Sequence, residues 1–466
     1  MNFFERIKGW FNRMFNISII RTKFDVNIAI SDAMREAIET YNAVYQNSAE
    51  WLDDNVHSMS LGKTISSELA RTITIENEIK IVGENDRAKY IDESLNPIRA
   101  NLRNYAEYWQ ALGSIIIKPF VMNDKICYSL ITANRFVPIE FSVDGKLMSA
   151  VFFEQKKIGR DIYTRLEFHK REKTGYKINN YAYVSRTPET LGVEISLSSI
   201  SDWADIQPEV FITNLENPLF VYIRTPYTNN IEPLSKLGIS CFSNVINFIE
   251  DADKQYSRLM WEFEGGELAV HASADCFKPK KRRDDEIEYV LPKGKNRLYK
   301  AFNVSPSEQK IETFSPALRD VNLINGLNKI LQEIEIGCGL SYGTLSDTTL
   351  LEGRTATEIN MLKQRSYSTI SDNQKALEAG LKELAEVVDI YCDLYSLVPS
   401  GEWGMECHWD DSIIVDIQSK LQEMAQLKAL GVVSAEEIRQ WYFNEDEETA
   451  KKRAAEIREQ TQFIIP

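Results

Sequence analysis

Apolar residues return at helical spacing over long stretches in the second half of the chain. Leu234, Leu237, Cys241, Val245, Phe248, Ala252, Tyr256, Leu259 and Phe263 step by three and four, and Ile239, Phe242, Ile246 and Ile249 form a second stripe beside them. The spacing predicts one helix over 232–263, 32 residues or about 48 Å, with Pro233 near its start and Glu264-Gly265-Gly266 at its end. Two apolar stripes require helices on both sides. Ser315-Pro316, an N-cap followed by a first-turn proline, opens a second helix that carries Leu318, Val321, Ile324, Leu327, Leu331 and Ile334 to about Gly337. Between the two, 267–313 reads as a small insertion of strand-like pieces (EIEYVLP, RLYKAFNV, QKIETF). A helix goes out and a helix comes back, at unequal lengths of 32 and about 23 residues.

Four glycines among residues 337–354 predict an irregular, mobile loop. The capping box Thr355-Ala356-Thr357-Glu358 then opens a helical segment over 356–397, 42 residues or about 63 Å. Gly380 predicts a bend or break inside it, and Pro399-Ser400-Gly401 stops it. Residues 412–464 read as helical, with a second capping box at Ser434-Ala435-Glu436-Glu437 and an acidic run, Glu445-Asp446-Glu447-Glu448.

The first half has a different rhythm. Residues 28–110 read as several helices, with 66–80 mixing helix and a short extended end. From 114 to 222 the pattern turns strand-like: SIIIKPFV, KICYSLIT, FVPIEFSV, LMSAVFFEQ, IYTRLEFHKRE and YKINNYAYVS, with turns at Asn123-Asp124, Asp144-Gly145 and Thr174-Gly175. This is a β-meander or mixed sheet with a polar tip at 186–206. Residues 2–15, with Phe3, Phe4, Ile7, Trp10, Phe11, Met14 and Phe15 between Arg6, Lys8 and Arg13, form a short basic amphipathic helix. It suits either a membrane surface or packing on a neighbouring subunit.

Composition narrows the classes. A chain of 466 residues has room for two to four compact units of about 100–200 residues, and 43% apolar with 11% aromatic residues marks it as a folding chain. Lys plus Arg number 54 against 69 Asp plus Glu, a net charge of −15. That excludes a simple basic nucleic-acid coat but leaves room for a local basic patch, or for a protein past which DNA slides. Neither a secretory signal nor a transmembrane helix is expected. The six cysteines show no C-x-x-C pairing and read as free thiols in a reducing cytoplasm.

Candidate chemistry is sparse. Four histidines, His57, His169, His271 and His408, share no ligand spacing, so zinc hydrolysis and histidine acid–base catalysis are disfavoured, and no cofactor or metal is expected. Gly62-Lys63-Thr64 lacks the glycine that a phosphate loop needs at 57, where His57 stands. Glu406, His408, Asp410, Asp411 and Asp416 suit a solvated connection better than a metal cluster. Lys278-Pro279-Lys280-Lys281-Arg282-Arg283 places five cations in six residues, either as a solvated loop or as a contact for phosphates or an acidic partner.

The order of elements resembles the portal protein of tailed bacteriophages, of the long-tailed type, over roughly 30–440. Local stretches carry the likeness: Gly339-Leu340-Ser341-Tyr342-Gly343-Thr344-Leu345-Ser346, then Thr355-Ala356-Thr357-Glu358-Ile359 and Lys363-Gln364-Arg365-Ser366-Tyr367, with Gly113-Ser114-Ile115-Ile116-Ile117-Lys118-Pro119 and Asn134-Arg135-Phe136-Val137-Pro138-Ile139 earlier. The resemblance implies an α+β portal fold: an N-terminal arm (1–30), a mixed-sheet wing (31–231), a stem helix (232–263), a small α/β clip (264–313), a returning stem helix (314–338), a tunnel loop (339–354), a long kinked wing helix (355–411) and a helical crown (412–466). It implies a non-enzymatic ring, usually of twelve subunits, at one vertex of the virion capsid, assembled in the host cytoplasm. The partners it implies are the terminase large subunit, the head–tail adaptor, the scaffolding and major capsid proteins, and double-stranded DNA in the channel. Ser346, Asp347, Thr348, Thr349, Glu352 and Arg354 become the loop residues facing DNA, and Lys278, Lys280, Lys281, Arg282 and Arg283 the clip residues facing partners. The chain departs from the pattern in its short crown and in a tunnel loop with one cation, Arg354. Two other classes stand beside this one: a peripheral membrane- or scaffold-binding protein that uses residues 2–15, and a nuclease-like enzyme with Glu406, Asp410 and Asp411 as metal ligands.

Overall fold

The structure, a computed structural model, describes residues 17–75, 77–187, 190–267, 269–273, 278–281, 287–290, 299–302, 311–314, 316–347, 356–409, 417–443 and 445–462. The amphipathic segment 2–15 and the capping residue Thr355 lie outside them. Contacts divide the chain into a large unit, residues 1–74 and 79–407, and a small one, residues 75–78 and 408–466.

The large unit opens with α1 (Ile17–Phe24), α2 (Asp32–Tyr45), α3 (Leu61–Thr74), β1 (Asn77–Val82), α4 (Asp86–Ser94) and α5 (Asn96–Leu112). Their starts follow local chemistry: Ser31 caps α2 by accepting from the Met34 N–H, and Asn85 caps α4 by accepting from the Ala88 N–H. The mixed helical and extended reading of 66–80 matches α3 followed by β1.

Strands follow at the expected places: β2 (Ser114–Met122), β3 (Lys125–Thr132), β4 (Phe136–Phe141), β5 (Leu147–Ile158), β6 (Asp161–Glu172), β7 (Gly175–Ser185), β8 (Val193–Ile195), β9 (Glu209–Thr213) and β10 (Val221–Arg224). They form a three-stranded sheet, β10-β2-β3, and a six-stranded sheet, β4-β5-β6-β7-β8, with β9 also pairing β7. All these ladders are antiparallel, so the meander reading holds and the mixed-sheet one does not. Asn123 and Asp124 both take positive φ, 51° and 58°, which gives the two-residue hairpin the twist it needs. Ile20 of α1 covers one face of the larger sheet over Val137, Val151, Leu166 and Phe168.

The single helix expected over 232–263 is a correction. Residues 232–242 are irregular, and α6 runs from Ile246 to Gly265, 20 residues. Leu237, Ile239, Cys241 and Phe242 are buried as expected, whereas Leu234 at the head of the stripe is 98% exposed, and the backbone of the buried four is engaged elsewhere. The Cys241 N–H donates to the Gln110 carbonyl at 3.0 Å, and the Thr225 hydroxyl to the Ile239 carbonyl at 2.7 Å. Gly238 lies so close to Gly113 that a Cβ on it would sit 2.0 Å from the Gly113 oxygen. A chain whose polar groups are paired with a neighbouring turn cannot also make i to i−4 bonds.

The insertion carries β11 (Ala269–Ser273), β12 (Lys278–Lys281), β13 (Ile287–Val290), β14 (Tyr299–Phe302) and β15 (Ile311–Phe314). From Ala269 to Phe314 its described residues are all strand, with β11 parallel to β14 and antiparallel to β15. Helix α7 (Asp320–Cys338) follows at 19 residues, so the outgoing and returning helices are matched in length and not unequal. Helix α8 (Ala356–Leu394) runs unbroken through Gly380. The glycine allows close packing instead of the expected break, since a Cβ there would lie 2.6 Å from the Ile223 side chain on β10.

Arg87 fastens the far end of α8. It is 1% exposed; its Nε donates to Asp389, its Nη1 to the Val398 carbonyl at 2.9 Å, and its Nη2 to the Asp389 carbonyl at 2.8 Å and to Asp393 at 2.6 Å. A cation at a helix C-terminus also meets its exposed carbonyls and negative dipole end. β16 (Gly404–Trp409) then pairs with β1.

In the small unit, α9 (Ile417–Ala429), α10 (Ala435–Phe443) and α11 (Glu447–Gln462) are short helices. The expected capping box closes: the Glu437 N–H donates to the Ser434 hydroxyl at 3.1 Å, and the Ser434 N–H to the Glu437 carboxylate at 2.7 Å. The acidic run is the start of α11, where Asp446 accepts from the Thr449 N–H at 2.8 Å.

Two stability predictions follow from the buried charges. Arg87→Met strands two carbonyls and two carboxylates at once and is expected to cost about 3 kcal/mol. Asp393→Asn, at an exposed partner, should cost under about 1 kcal/mol; denaturant unfolding that ranks the two equally would contradict the Arg87 role. Glu39 on α2 is 4% exposed, and neither of its carboxyl oxygens has a hydrogen-bond partner. Burial pushes its carboxyl up to about 8, against the opposing pull of Arg35. The folded chain therefore keeps a proton that the unfolded chain has released above its ordinary value of 4.5, so this group makes stability fall as pH rises from about 5 to 8. Glu39→Gln should leave Tm unchanged at pH 5 and raise it at pH 8; equal shifts at both would refute the assignment.

Candidate functional site

Helices α6 and α7 form an antiparallel hairpin, with contacts in reverse order along the two. At one end a Cβ on Gly337 would lie 2.1 Å from the Val245 side chain, so the helices approach there through the glycine. Midway, Gln255 donates to the Leu323 carbonyl at 3.2 Å. At the other end Glu262 takes the Arg319 guanidinium at 2.7 Å and the Arg319 N–H at 3.1 Å. Each helix spans about 30 Å at 1.5 Å per residue.

The hairpin is anchored at Asp253, which is 1% exposed and accepts from Trp51 Nε1 at 2.9 Å and from the Met59 N–H at 2.7 Å. Burial raises its carboxyl above the usual range, against these hydrogen bonds. Ser257, one turn on, accepts from the His57 N–H at 2.8 Å. Outside these contacts the hairpin presents apolar side chains to solvent: Trp261 is 67% exposed and Val321 63%, with Phe248, Phe263, Ile324 and Ile336 also exposed. Such a run on a pair of packed helices is uncommon on a surface that stays in water.

At the end of α7, Cys338 gives way to Gly339 in the left-handed region, φ 69°. The chain then folds back onto its own helix. Glu335, fully buried, accepts from the N–H groups of Gly343 at 3.1 Å, Leu345 at 2.6 Å and Ser346 at 2.8 Å, and from the Ser346 hydroxyl at 2.9 Å. Gln332 reaches the Tyr342 hydroxyl, and Asn328 accepts from the Asp347 N–H at 2.7 Å. Positions 328, 332 and 335 share one helix face.

A family model, phage portal protein of the SPP1 Gp6-like type, matches residues 28–462. The chain belongs to the phage portal protein family. No curated protein matches it. Among solved structures it is similar to a chain in "Neck of native GTA particle computed with C12 symmetry", at 10% identity and a TM-score of 0.40, covering 81% of this chain and 89% of that one. The family is structural, and the structure describes a portal protein with an α+β fold.

Within this portal protein the expected site residues fare unevenly. Ser346, expected to face DNA, is a correction: it is buried, and both its N–H and its hydroxyl are taken by Glu335. Asp347 is exposed, with its backbone held by Asn328. Thr348, Thr349, Glu352 and Arg354 lie outside the described residues. The loop expected to be mobile over 337–354 is fastened from Gly339 to Asp347. Lys278, Lys280 and Lys281 form β12, in register with Val290, Glu288 and Ile287, while Arg282 and Arg283 lie outside.

Asn328, Gln332 and Glu335 escaped the sequence reading. Their signal was a carboxylate, Glu335, set between Ile334 and Ile336. Among the described residues, no group of three His, Cys, Asp or Glu is placed to hold a metal. Glu406 and His408 lie on β16, and Asp410, Asp411 and Asp416 fall outside the described residues. Gly62-Lys63-Thr64 sits in the first turn of α3 with Gly62 packed on Val44, so it is no phosphate loop. The most enzyme-like array is His169, bonded to Glu167 at 2.6 Å and to the Tyr176 hydroxyl at 3.2 Å. Burial lowers the His169 pKa against the pull of Glu167, and Lys118 and Arg165 already pair with that carboxylate. This is a paired internal network on the larger sheet, with no serine or cysteine nucleophile bonded to the imidazole.

Proposed function

We propose that copies of this chain close into a ring, twelve being the number the family resemblance implies, whose central channel carries double-stranded DNA into and out of a capsid at its portal vertex. The observation that carries the reading is the set of exposed apolar side chains on the α6–α7 hairpin, of which Trp261 and Val321 are the most exposed. A ring of stems gives each such face a neighbour, and burial there at about 25 cal/mol per Å² supplies the association energy. The insertion over 264–313, with its basic strand β12, is the docking face for the terminase large subunit and then the head–tail adaptor. The segment after Asp347 is the part of the loop that meets DNA. A net charge of −15 favours passage over capture, because every neutralised phosphate adds affinity that translocation must break.

Mass photometry tests the ring. Twelve copies of a 53.6 kDa chain make a particle of about 640 kDa. Trp261→Glu with Val321→Glu should leave a folded chain, by circular dichroism, and abolish the large particle; an intact ring in that variant would remove the stem face from the interface. A wild-type chain that stays monomeric even with scaffolding and capsid protein would sink the reading. Charge reversal of Lys280, Lys281, Arg282 and Arg283 to Glu should keep the ring and reduce terminase or adaptor binding at least tenfold, most steeply at low salt; unchanged binding would move the docking face elsewhere.

A further inference from the structure

We propose that Glu335 is a latch: a positioning residue whose buried carboxylate holds the first turn of the glycine-rich loop to stem helix α7 and so sets where the loop leaves the stem. What the loop does rests on the portal reading above; the latch itself rests on geometry alone.

The carboxylate is 0% exposed and accepts from three backbone N–H groups and one hydroxyl. Gly343 makes this possible, since its φ of 86° turns the chain so that the amides of 343, 345 and 346 converge on one point. Such a concave set of amides is an anion site, filled here by a side chain of the same chain. A buried anion is tolerated only where dipoles replace its water, and four donors do so. Gln332 and Asn328 extend the contact along the same face, and Asn328 holds Asp347 through both peptide groups, accepting its N–H at 2.7 Å and donating to its carbonyl at 3.5 Å.

The consequence is mechanical. The loop's root does not swing freely from Gly339; it travels with α7. Any tilt or shift of the stem helix is passed to the chain at Asp347, where the latched part ends. The stem and the loop thus act as one lever, and Glu335 determines whether they do.

Hydrogen-exchange mass spectrometry on the purified full-length chain tests the latch. In Glu335→Ala, amides over 340–347 should exchange at least about tenfold faster, while a peptide over 324–334 keeps its wild-type rate. Glu335→Gln, which keeps the shape and one acceptor oxygen, should fall between. DNA packaged per head should drop in the same order. A loop that stays protected in Glu335→Ala overturns the latch, and a loosened loop with wild-type packaging overturns its positioning role. If Glu335→Ala fails to fold, Ser346→Ala and Asn328→Ala, each removing one bond set, must loosen the same peptide by about two- to fivefold; no loosening in either refutes the proposal. Failure of the portal reading would appear separately, as wild-type chain that forms no ring, with the exchange contrast still readable.

Discussion

Two glycines cross where the helical and sheet parts of the large unit meet the stem, and much of the architecture depends on that crossing. Gly113 ends α5 in the left-handed region, and Gly238 passes so near that a side chain on either would collide with the other's backbone. The Gly113 carbonyl accepts from the Thr225 N–H at 2.9 Å, and the Gln110 carbonyl accepts from Cys241. One turn thus joins the end of α5, the start of β2, the exit from β10 and the approach to α6. It shortens the stem helix to a length that α7 can match and leaves the residues before it buried but non-helical.

Two buried charges then hold the C-terminal ends of α7 and α8. Arg87 meets the C-terminus of α8, where a cation finds free carbonyls and two carboxylates. Glu335 meets the turn after α7, where an anion finds converging amides. Each is matched by backbone dipoles of the sign it needs, which is why each can be buried. Glu39, buried without such partners, is the exception and responds by holding its proton. The same rule separates a pinned loop root from whatever the chain does beyond Asp347.

Charge and apolar surface divide the labour in a portal subunit. On the proposed reading, the overall acidity would keep a polyanion from sticking, while the exposed aromatic and aliphatic side chains of the α6–α7 hairpin would offer non-ionic association between copies. Salt that weakens contacts to phosphate leaves that second kind of contact intact or stronger.

The sequence by itself determined the local elements and their order. Period-two runs with Asn-Asp and Asp-Gly turns set the meander, capping residues set helix starts such as Ser434, and the spacing of apolar residues identified which positions are buried even at Leu237 to Phe242, where the helix was wrong. The order of those elements was enough to point to the portal family. Only the tertiary structure decided which backbone groups were already taken. Residues 232–242 carry a helical pattern, but their backbone groups are already taken: the Cys241 N–H by the Gln110 carbonyl, and the Ile239 and Leu237 carbonyls by Thr225 and Asn229. Gly380 reads as a break until Ile223 is seen against it, and Ser346 reads as a free loop hydroxyl until Glu335 is seen beneath it. Periodicity records which side of an element faces apolar surroundings; it holds no record of which backbone groups are bonded outside their own element, and those bonds decided both the length of α6 and the fastening of the loop after α7.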